Sequence, residues 1–292
     1  MKSSDHLLRG TSRSFYLSVR WLPSEVRASI TLGYLLARAS DSIADASTAS
    51  IERRVEALHA LRDGDVGVRI VDELASHQTN PVEKELVENL PSLLDELDAS
   101  PDQSALQSVW SKILEGQIFD LIRFANNTTP LTPEELDEYT YLVAGSVGEF
   151  WSDLCHHRIS HFATLPASEH RRLAMNYGKG LQRVNVLRDY QADLALGRRY
   201  IAGGRFEPEC TTAQTQLQDG IAWVSAVRGR RMRLSAILPA NIALEMLPLL
   251  GEQSPKVKLT RQAIRRQLWT SVPILWSSRW SGTHPSATSN LA

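Results

Sequence analysis

Apolar residues recur along this chain with the three- to four-residue spacing of amphipathic helices, and the alternation typical of strands is almost absent. This spacing, interrupted by helix-breaking residues, predicts an all-α protein. The predicted helices cover about residues 24–46, 50–63, 67–77, 81–97, 103–125, 133–158, 167–195, 212–236, 239–250 and 255–271.

Two of the predicted helix starts carry local signals. Pro81 follows Asn80 and Pro133 follows Thr132, and proline is common in the first turn because its missing N–H loses no helical hydrogen bond there. Thr132 and Glu135 also have the spacing of a capping box, in which each side chain bonds to the other residue's backbone. Both helices are therefore expected to begin at the proline.

Two glycines, Gly145 and Gly148, fall inside a predicted helix. Each costs about 1 kcal/mol relative to alanine at such a position. A substrate channel and close helix packing are both open as reasons for this cost.

The same pair of acidic residues occurs twice, about 150 positions apart: Asp41 with Asp45, and Asp189 with Asp193. Side chains four positions apart lie on one face of an α-helix, so each pair projects two carboxylates from a single stripe. Each pair also follows an apolar run, and charges that extend from a largely buried helix need a reason. The two pairs predict a cage of four carboxylates around a shared cavity.

Carboxylates held this close repel one another unless cations share the site. Mg²⁺ fits such oxygen ligands, and it is usually held by a few carboxylates together with phosphate oxygens of a substrate. Arg38, Arg188 and Arg198 lie close to the aspartates in sequence and suit the binding of anions. The pattern therefore predicts a phosphorylated ligand that is bridged to the protein through Mg²⁺.

Polar residues extend both aspartate pairs along their helices. Tyr34 and Arg38 continue the stripe of Asp41 and Asp45, at i, i+4, i+7 and i+11. Gln182 and Asn185 precede Asp189 and Asp193 in the same way, at i, i+3, i+7 and i+11. We expect both stripes to face the same cavity.

Several segments occur in the order and at the spacing of one known enzyme family. They are Ser12-Arg13-Ser14-Phe15, Tyr34, Ala37 to Asp45, Gly116-Gln117 with Asp120-Leu121, Tyr139 to Gly145, and Gln182 to Asp193. On these segments, within about residues 8 to 205, the chain resembles the squalene/phytoene synthase family. Tyr190, in Asp-Tyr-x-x-Asp, is more similar to squalene synthases than to phytoene synthases. Gln117 stands where the family usually has methionine, and the proline usual two residues after Tyr200 is missing.

The resemblance implies an all-α isoprenoid synthase fold, a single large helical bundle around a central apolar cavity. It also implies roles for individual residues. Asp41, Asp45, Asp189 and Asp193 would bind Mg²⁺. The substrate diphosphate would be bound by Ser12, Arg13, Ser14, Arg38, Gln182, Asn185, Arg188 and Arg198. The residues expected to act in catalysis are Tyr34, Tyr139, Arg38, Asp41 and Asp189.

The reaction implied by the resemblance joins two farnesyl diphosphates head to head through presqualene diphosphate, a cyclopropylcarbinyl diphosphate. The predicted product is squalene, which requires NADPH, although the Gly-x-Gly-x-x-Gly fingerprint of dinucleotide-binding folds is missing. Phytoene from geranylgeranyl diphosphate, dehydrosqualene, hydroxysqualene and presqualene diphosphate itself are the open alternatives without NADPH. A non-catalytic scaffold that retains the fold is the alternative of another class.

Composition is consistent with one domain over residues 1–281, followed by a disordered tail over 282–292. A net charge of −1 in 292 residues gives no electrostatic reason to expect nucleic acid binding. Two cysteines do not form a disulfide framework, which suits a cytoplasmic location. No signal peptide or transmembrane segment is predicted, while the tryptophans between residues 268 and 280 suit peripheral contact with a membrane. Oligomeric state is left open.

Overall fold

The computed structural model describes residues 2–11, 13–64, 68–125 and 128–253, and the helical prediction is confirmed there. No strand occurs in these residues; an isolated antiparallel bridge joins Ala163 and Val227. The helices are α1 Lys2–Thr11, α2 Arg13–Trp21, α3 Ser24–Ala44, α4 Ile51–Asp63, α5 Val68–Ser76, α6 Pro81–Glu88, α7 Leu90–Asp98, α8 Gln103–Ala125, α9 Pro133–Thr140, α10 Ser146–Arg158, α11 Ala167–Ala195, α12 Phe206–Ala226 and α13 Arg230–Met246. A π-helical turn, Tyr141–Gly145, joins α9 to α10, and a 3₁₀ turn, Leu247–Leu249, follows α13.

The predicted start signals of α6 and α9 are confirmed. The Asn80 side chain accepts a hydrogen bond from the backbone N–H of Val82 at 3.0 Å. Thr132 and Glu135 form both bonds of the capping box, at 2.8 and 3.1 Å. Local signals of this kind act over three or four residues, so they are read correctly without knowledge of the tertiary structure.

The sequence prediction missed α1 and α2, because nothing before residue 24 was expected to be helical. Both helices are short, and isolated helices of nine or ten residues are marginal in water. Tertiary packing stabilises α1, since Leu7 and Leu8 are buried in the main core. Whether helices this short form depends on the residues that they pack against more than on their own hydrophobic periodicity.

Two predicted helices are divided differently in the structure. The helix expected over 81–97 breaks at Asn89, and Pro91 lies in the first turn of α7. The helix expected over 212–236 ends at Ala226, because the backbone that follows bonds to another segment: the Arg228 N–H donates to the Phe162 carbonyl at 2.8 Å. Pro239, expected near a helix start, lies inside α13.

Helix α11 lies between α10 and α12 and packs along both. Its contact with α10 and with the π-helical turn before α10 depends on two glycines. A Cβ atom on Gly148 would lie 2.0 Å from the carbonyl oxygen of Ala174, and one on Gly178 would lie 2.1 Å from that of Ala144. Close helix packing therefore explains Gly148, which also lines the apolar cavity described below.

A buried group of charges sets the rotation of α11. The guanidinium of Arg183 is 3% exposed and donates to Glu209 on α12, to Gln216 at 3.2 Å and to Asp137 on α9 at 3.0 Å. Lys179, one turn earlier, donates to the same Asp137 at 2.6 Å. Removing one member would leave a buried charge unpaired, so the network ties the three helices into one orientation.

One described helical segment is long and apolar enough to cross a membrane. It spans Arg230–Leu249 and contains an 18-residue stretch with a mean hydropathy of 1.2, of which 67% is buried inside the protein. A core helix meets the same criteria of length and composition, so this is weak evidence for a membrane span. The predicted helix over 255–271, the tryptophans of 268–280 and the tail over 282–292 lie outside the described residues. Cytoplasmic location, membrane contact and the domain limits stay predictions.

We expect Gly148→Ala to lower the free energy of unfolding by about 1–3 kcal/mol or more, because the new methyl group meets backbone atoms of α11 that cannot move aside. Urea unfolding followed by circular dichroism measures the change. Gly203→Ala is the matched control, since a Cβ atom there meets nothing within 4 Å. Equal stability of the two variants would contradict the packing role of Gly148.

Candidate active site

Helix α3 places the first polar stripe on the wall of two adjoining cavities. Arg38, Asp41 and Asp45 line a polar cavity of about 460 Å³. Tyr34 lines an apolar cavity of about 650 Å³. Asp45 is the residue after the last turn of α3, where the helix ends two residues earlier than predicted.

Helix α11 supplies the opposite wall of the polar cavity with the second stripe. Gln182, Asn185, Asp189 and Asp193 line it, as their spacing predicted, and Arg188 lines it as well. The amide of Asn185 donates to Gln182 at 3.2 Å, and Nε of Arg188 donates to Asp189 at 3.1 Å. The structure therefore brings both aspartate pairs to one cavity.

The four aspartates do not converge on a single point. Within the described residues, no three His, Cys, Asp or Glu side chains lie close enough to hold one metal ion. Mg²⁺ is commonly held by one or two carboxylates together with substrate phosphates and water. The arrangement therefore suits separate ions on the two walls, each completed by ligand oxygens, better than one ion caged by four carboxylates.

Arg38 joins the α3 wall to a residue that the sequence analysis missed. Its guanidinium donates to Asp41 on its own helix and to Glu83 on α6. Glu83 lies in the first turn of α6, where an acidic residue is ordinarily explained by the helix dipole. Nothing in the sequence around Glu83 indicates its contact with Arg38, which depends on how α6 packs against α3.

The positive charge of Arg38 does not fully offset the effects that destabilise the ionised form of Asp41. Its side chain faces the cavity, with 44% of its surface accessible. The enclosing protein and the neighbouring Asp45 carboxylate raise the pKa of Asp41 to about 6, and Arg38 opposes them only in part. A cation that enters the cavity would favour the ionised form of this carboxyl group.

Arg198 lies in the polar cavity between the end of α3 and helix α8. Its guanidinium lies 3.8 Å from Asp45 and 3.7 Å from Asp120 on α8. Burial acts to lower the pKa of Arg198, but Asp120, Tyr200, Asp45 and Asp193 outweigh it and raise that pKa. Arg198 is therefore a fixed positive charge inside the cavity, where the sequence predicted an anion contact.

Asp120 and Tyr200 also belong to the site, although neither was predicted as a site residue. Tyr200 donates to the buried Asp120 carboxylate and stacks on Tyr139, with ring centroids 5.3 Å apart. Burial raises the pKa of Asp120, and Arg198 opposes this effect. The signal that could have identified Asp120 was its place in the segment Gly116-Gln117 with Asp120-Leu121, which resembles the family.

The two cavities share a boundary. The residues that line both are Arg38, Asp41, Gln117, Tyr139, Gln182 and Asn185. Beyond it the larger cavity is mainly apolar, with walls that include Ile30, Ile113, Phe150, Trp151 and Leu181. A ligand with a charged head and a long hydrocarbon tail would place its head in one cavity and its tail in the other.

Five carboxylates and three guanidiniums line the polar cavity. Fully ionised, this lining carries an excess of two negative charges, and its remaining polar groups are amides and phenols. An all-oxygen donor set with this charge fits a hard divalent cation such as Mg²⁺. Asp41 and Asp45 on one wall, and Asp189 and Asp193 on the other, are the residues that would hold such ions.

The predicted diphosphate contacts of the N-terminal segment cannot be placed. Ser12 lies outside the described residues, and only the backbone of Arg13 and Ser14 is described, in the first turn of α2. Their roles stay predictions, as do those assigned to the other site residues.

The fold defines the class of protein. Its helices match a solved complex of TcSQS with the ligand E5700 at a TM-score of 0.71 and 18% identity, over 93% of this chain and 87% of that one. This is the all-α isoprenoid synthase fold, as predicted. The sequence model of the squalene/phytoene synthase family matches residues 8–207, and the chain belongs to that family.

Curated relatives support the family without settling the product. The chain is 30% identical over 213 residues to a bifunctional lycopene cyclase/phytoene synthase of Colletotrichum graminicola, which covers 71% of this chain and 35% of the relative. It is 26% identical over 200 residues to human squalene synthase, which covers 68% of this chain and 46% of the relative. The chain thus spans less than half the length of either relative.

We expect Tyr200→Phe to lower the free energy of unfolding by about 1–3 kcal/mol, because the buried Asp120 carboxylate loses a hydrogen-bond donor. Urea unfolding measures the loss. Tyr190→Phe is the control: the Tyr190 hydroxyl reaches Glu252 only at 3.4 Å, and Glu252 is exposed. An equally large loss of unfolding free energy in Tyr190→Phe would show that the hydrogen bond to Asp120 stabilises the fold no more than an exposed hydrogen bond does.

Proposed function

We propose that the protein joins two farnesyl diphosphates head to head in a Mg²⁺-dependent reaction that passes through presqualene diphosphate. With NADPH, the proposed product is squalene. The observation that carries this proposal is the shared boundary of the two cavities, with aspartates and arginines on one side and an apolar chamber on the other. Membership of the squalene/phytoene synthase family supports it.

The polar cavity suits the departure of a diphosphate group. Ionisation of an allylic diphosphate places negative charge on the leaving oxygens, and Arg38, Arg188 and Arg198 are positioned on the cavity wall to neutralise it. Mg²⁺ held by the aspartate pairs would supply further positive charge to the same oxygens. Because the arginines are already paired with carboxylates, a diphosphate would replace part of the charge that those carboxylates now provide.

The apolar cavity suits two prenyl chains and the carbocations that they form. Bulk water would capture a cation, so aliphatic and aromatic walls protect it as well as bind the chains. Tyr34 and Tyr139 line this chamber, and an aromatic face attracts an allylic cation. Burial raises the pKa of Tyr139 above its usual value. Tyr139 therefore keeps its proton at neutral pH and is able to donate a hydrogen bond to a ligand.

Two alternatives predict different outcomes in a single assay. Geranylgeranyl diphosphate as substrate would give the C40 product phytoene. A scaffold without activity would have no need for the two aspartate pairs and three arginines that line one cavity, so the enzyme is the function that the site supports better.

The test is to incubate the protein with farnesyl diphosphate and Mg²⁺, with and without NADPH, and to identify the extracted products by mass spectrometry. Squalene that appears only with NADPH is the expected result, and chelation of Mg²⁺ should abolish all products. If only geranylgeranyl diphosphate gives a product, and that product is C40, then geranylgeranyl diphosphate is the substrate. No product from either substrate would favour the scaffold.

We expect Asp41→Asn and Asp189→Asn each to abolish turnover while the far-ultraviolet circular dichroism spectrum stays unchanged. Each substitution removes a carboxylate from one wall of the polar cavity without changing the volume of the side chain. Asp72→Asn, on the exposed face of α5, is the matched control and should keep full activity. Near-normal activity in both site variants would refute the metal-binding assignment.

A further inference from the structure

Arg38 lies between two carboxylates that differ in their access to the cavities. Its Nη1 atom donates to Asp41, and its Nη2 atom donates to Glu83 on α6. Arg38 and Asp41 line both cavities, whereas Glu83 lines neither of them. The Glu83 side chain is 25% exposed, against 44% for Asp41. A ligand in the polar cavity would therefore meet Asp41 and Arg38 directly, but not Glu83.

The position of Glu83 is fixed by contacts of α6 with two other helices. The Asn80 side chain caps α6, and Glu83 follows in its first turn, where the helix dipole favours a negative charge. Helix α6 packs against α3 and also against α1, where a Cβ atom on Gly10 would lie 2.8 Å from Cγ1 of Val82. The Glu83 carboxylate is thus held beside Arg38 from outside the cavity.

The strength of the contact between Arg38 and Asp41 depends on what else Asp41 binds. Asp41 is one of the residues proposed to hold Mg²⁺. A carboxylate that binds a cation has less negative charge to share with a guanidinium, and the guanidinium is repelled by a cation bound next to it. An arginine that loses its partner regains the freedom of a long side chain. Glu83 is a partner that Arg38 keeps when Asp41 binds a cation.

We propose that Glu83 is a positioning residue, which keeps Arg38 at the cavity wall when Asp41 binds a metal ion. A guanidinium has five N–H groups, so the contact with Glu83 leaves others for a phosphate oxygen. Arg38 then binds the same diphosphate that Asp41 reaches through the metal ion. This inference rests on the proposed function, and it assigns Glu83 to diphosphate binding by way of Arg38.

Two simpler roles of Glu83 predict different results when its charge is removed. If the carboxylate only added negative charge near the site, its removal would strengthen the binding of an anion, because like charges repel. If it only stabilised the first turn of α6, its removal would lower the free energy of unfolding and leave anion binding unchanged. The positioning role predicts weaker binding of an anion, so the three roles differ in the sign of the change.

The experiment measures the binding of inorganic diphosphate to the full chain, in excess Mg²⁺, by isothermal titration calorimetry. In Glu83→Gln the dissociation constant should rise about tenfold, because the guanidinium loses a charged hydrogen-bond partner. Glu85→Gln is the matched control, since it removes the same charge from the same helix, where Glu85 lies 3.4 Å from the exposed His6. It should leave the dissociation constant unchanged. Circular dichroism checks that each variant keeps its helices.

A double variant tests whether Glu83 acts through Arg38. Added to Arg38→Gln, the substitution Glu83→Gln should not weaken diphosphate binding further, because the side chain that Glu83 positions is already gone. A further loss in the double variant would overturn the inference, as would an unchanged or smaller dissociation constant in Glu83→Gln alone.

The inference and the proposed function fail in different ways. If the wild type forms a C30 product while Glu83→Gln binds diphosphate normally, the inference is wrong and the proposed function stands. If the wild type forms no product from farnesyl diphosphate while Glu83→Gln binds inorganic diphosphate about tenfold more weakly, the proposed function is wrong and the role of Glu83 in anion binding stands. A wild type that binds no diphosphate would overturn both.

Discussion

Repulsion between carboxylates that face one another across a small cavity is the constraint on which this structure depends. Helices α3 and α11 each bring a pair of aspartates to the cavity, and Asp120 adds a fifth carboxylate from α8. Such a group is stable only if positive charge is distributed among its members. Three arginines provide part of that positive charge, and bound divalent cations would neutralise the negative charge that remains.

The position of the cavity depends on contacts that α11 makes outside it. Arg183 and Lys179 bind Asp137 on α9, and this contact determines which face of α11 turns toward α3. The close approach at Gly148 and Gly178 sets the distance between α10 and α11. A rotation of α11 by one residue, about 100°, would turn the second aspartate pair away from the cavity. Packing of the helices and chemistry of the site are therefore parts of one arrangement.

Site residues differed in how visible they were in the sequence. Asp41, Asp45, Asp189 and Asp193 were found because helical spacing places each pair on one face, and this requires only local geometry. Asp120 was part of a matched segment but was given no role, since one acidic residue on a helix is usually exposed to solvent. Glu83 carried no signal at all. Its importance follows from the packing of α6 against α3, which brings its carboxylate to Arg38.

The helical class, most helix limits, two capped helix starts and the family could be read from the sequence, because these depend on periodicity, on bonds within one turn and on matched motifs. Packing between helices fixed where α6 and α7 separate, which residue ends α12, and that the Gln117 oxygen, without a hydrogen-bond partner among the described residues, lies at the boundary of two cavities. These features arise from contacts between residues distant in the chain, such as that of Arg228 with Phe162. A pattern read along one helix contains no information about the atoms that a neighbouring helix will place against it.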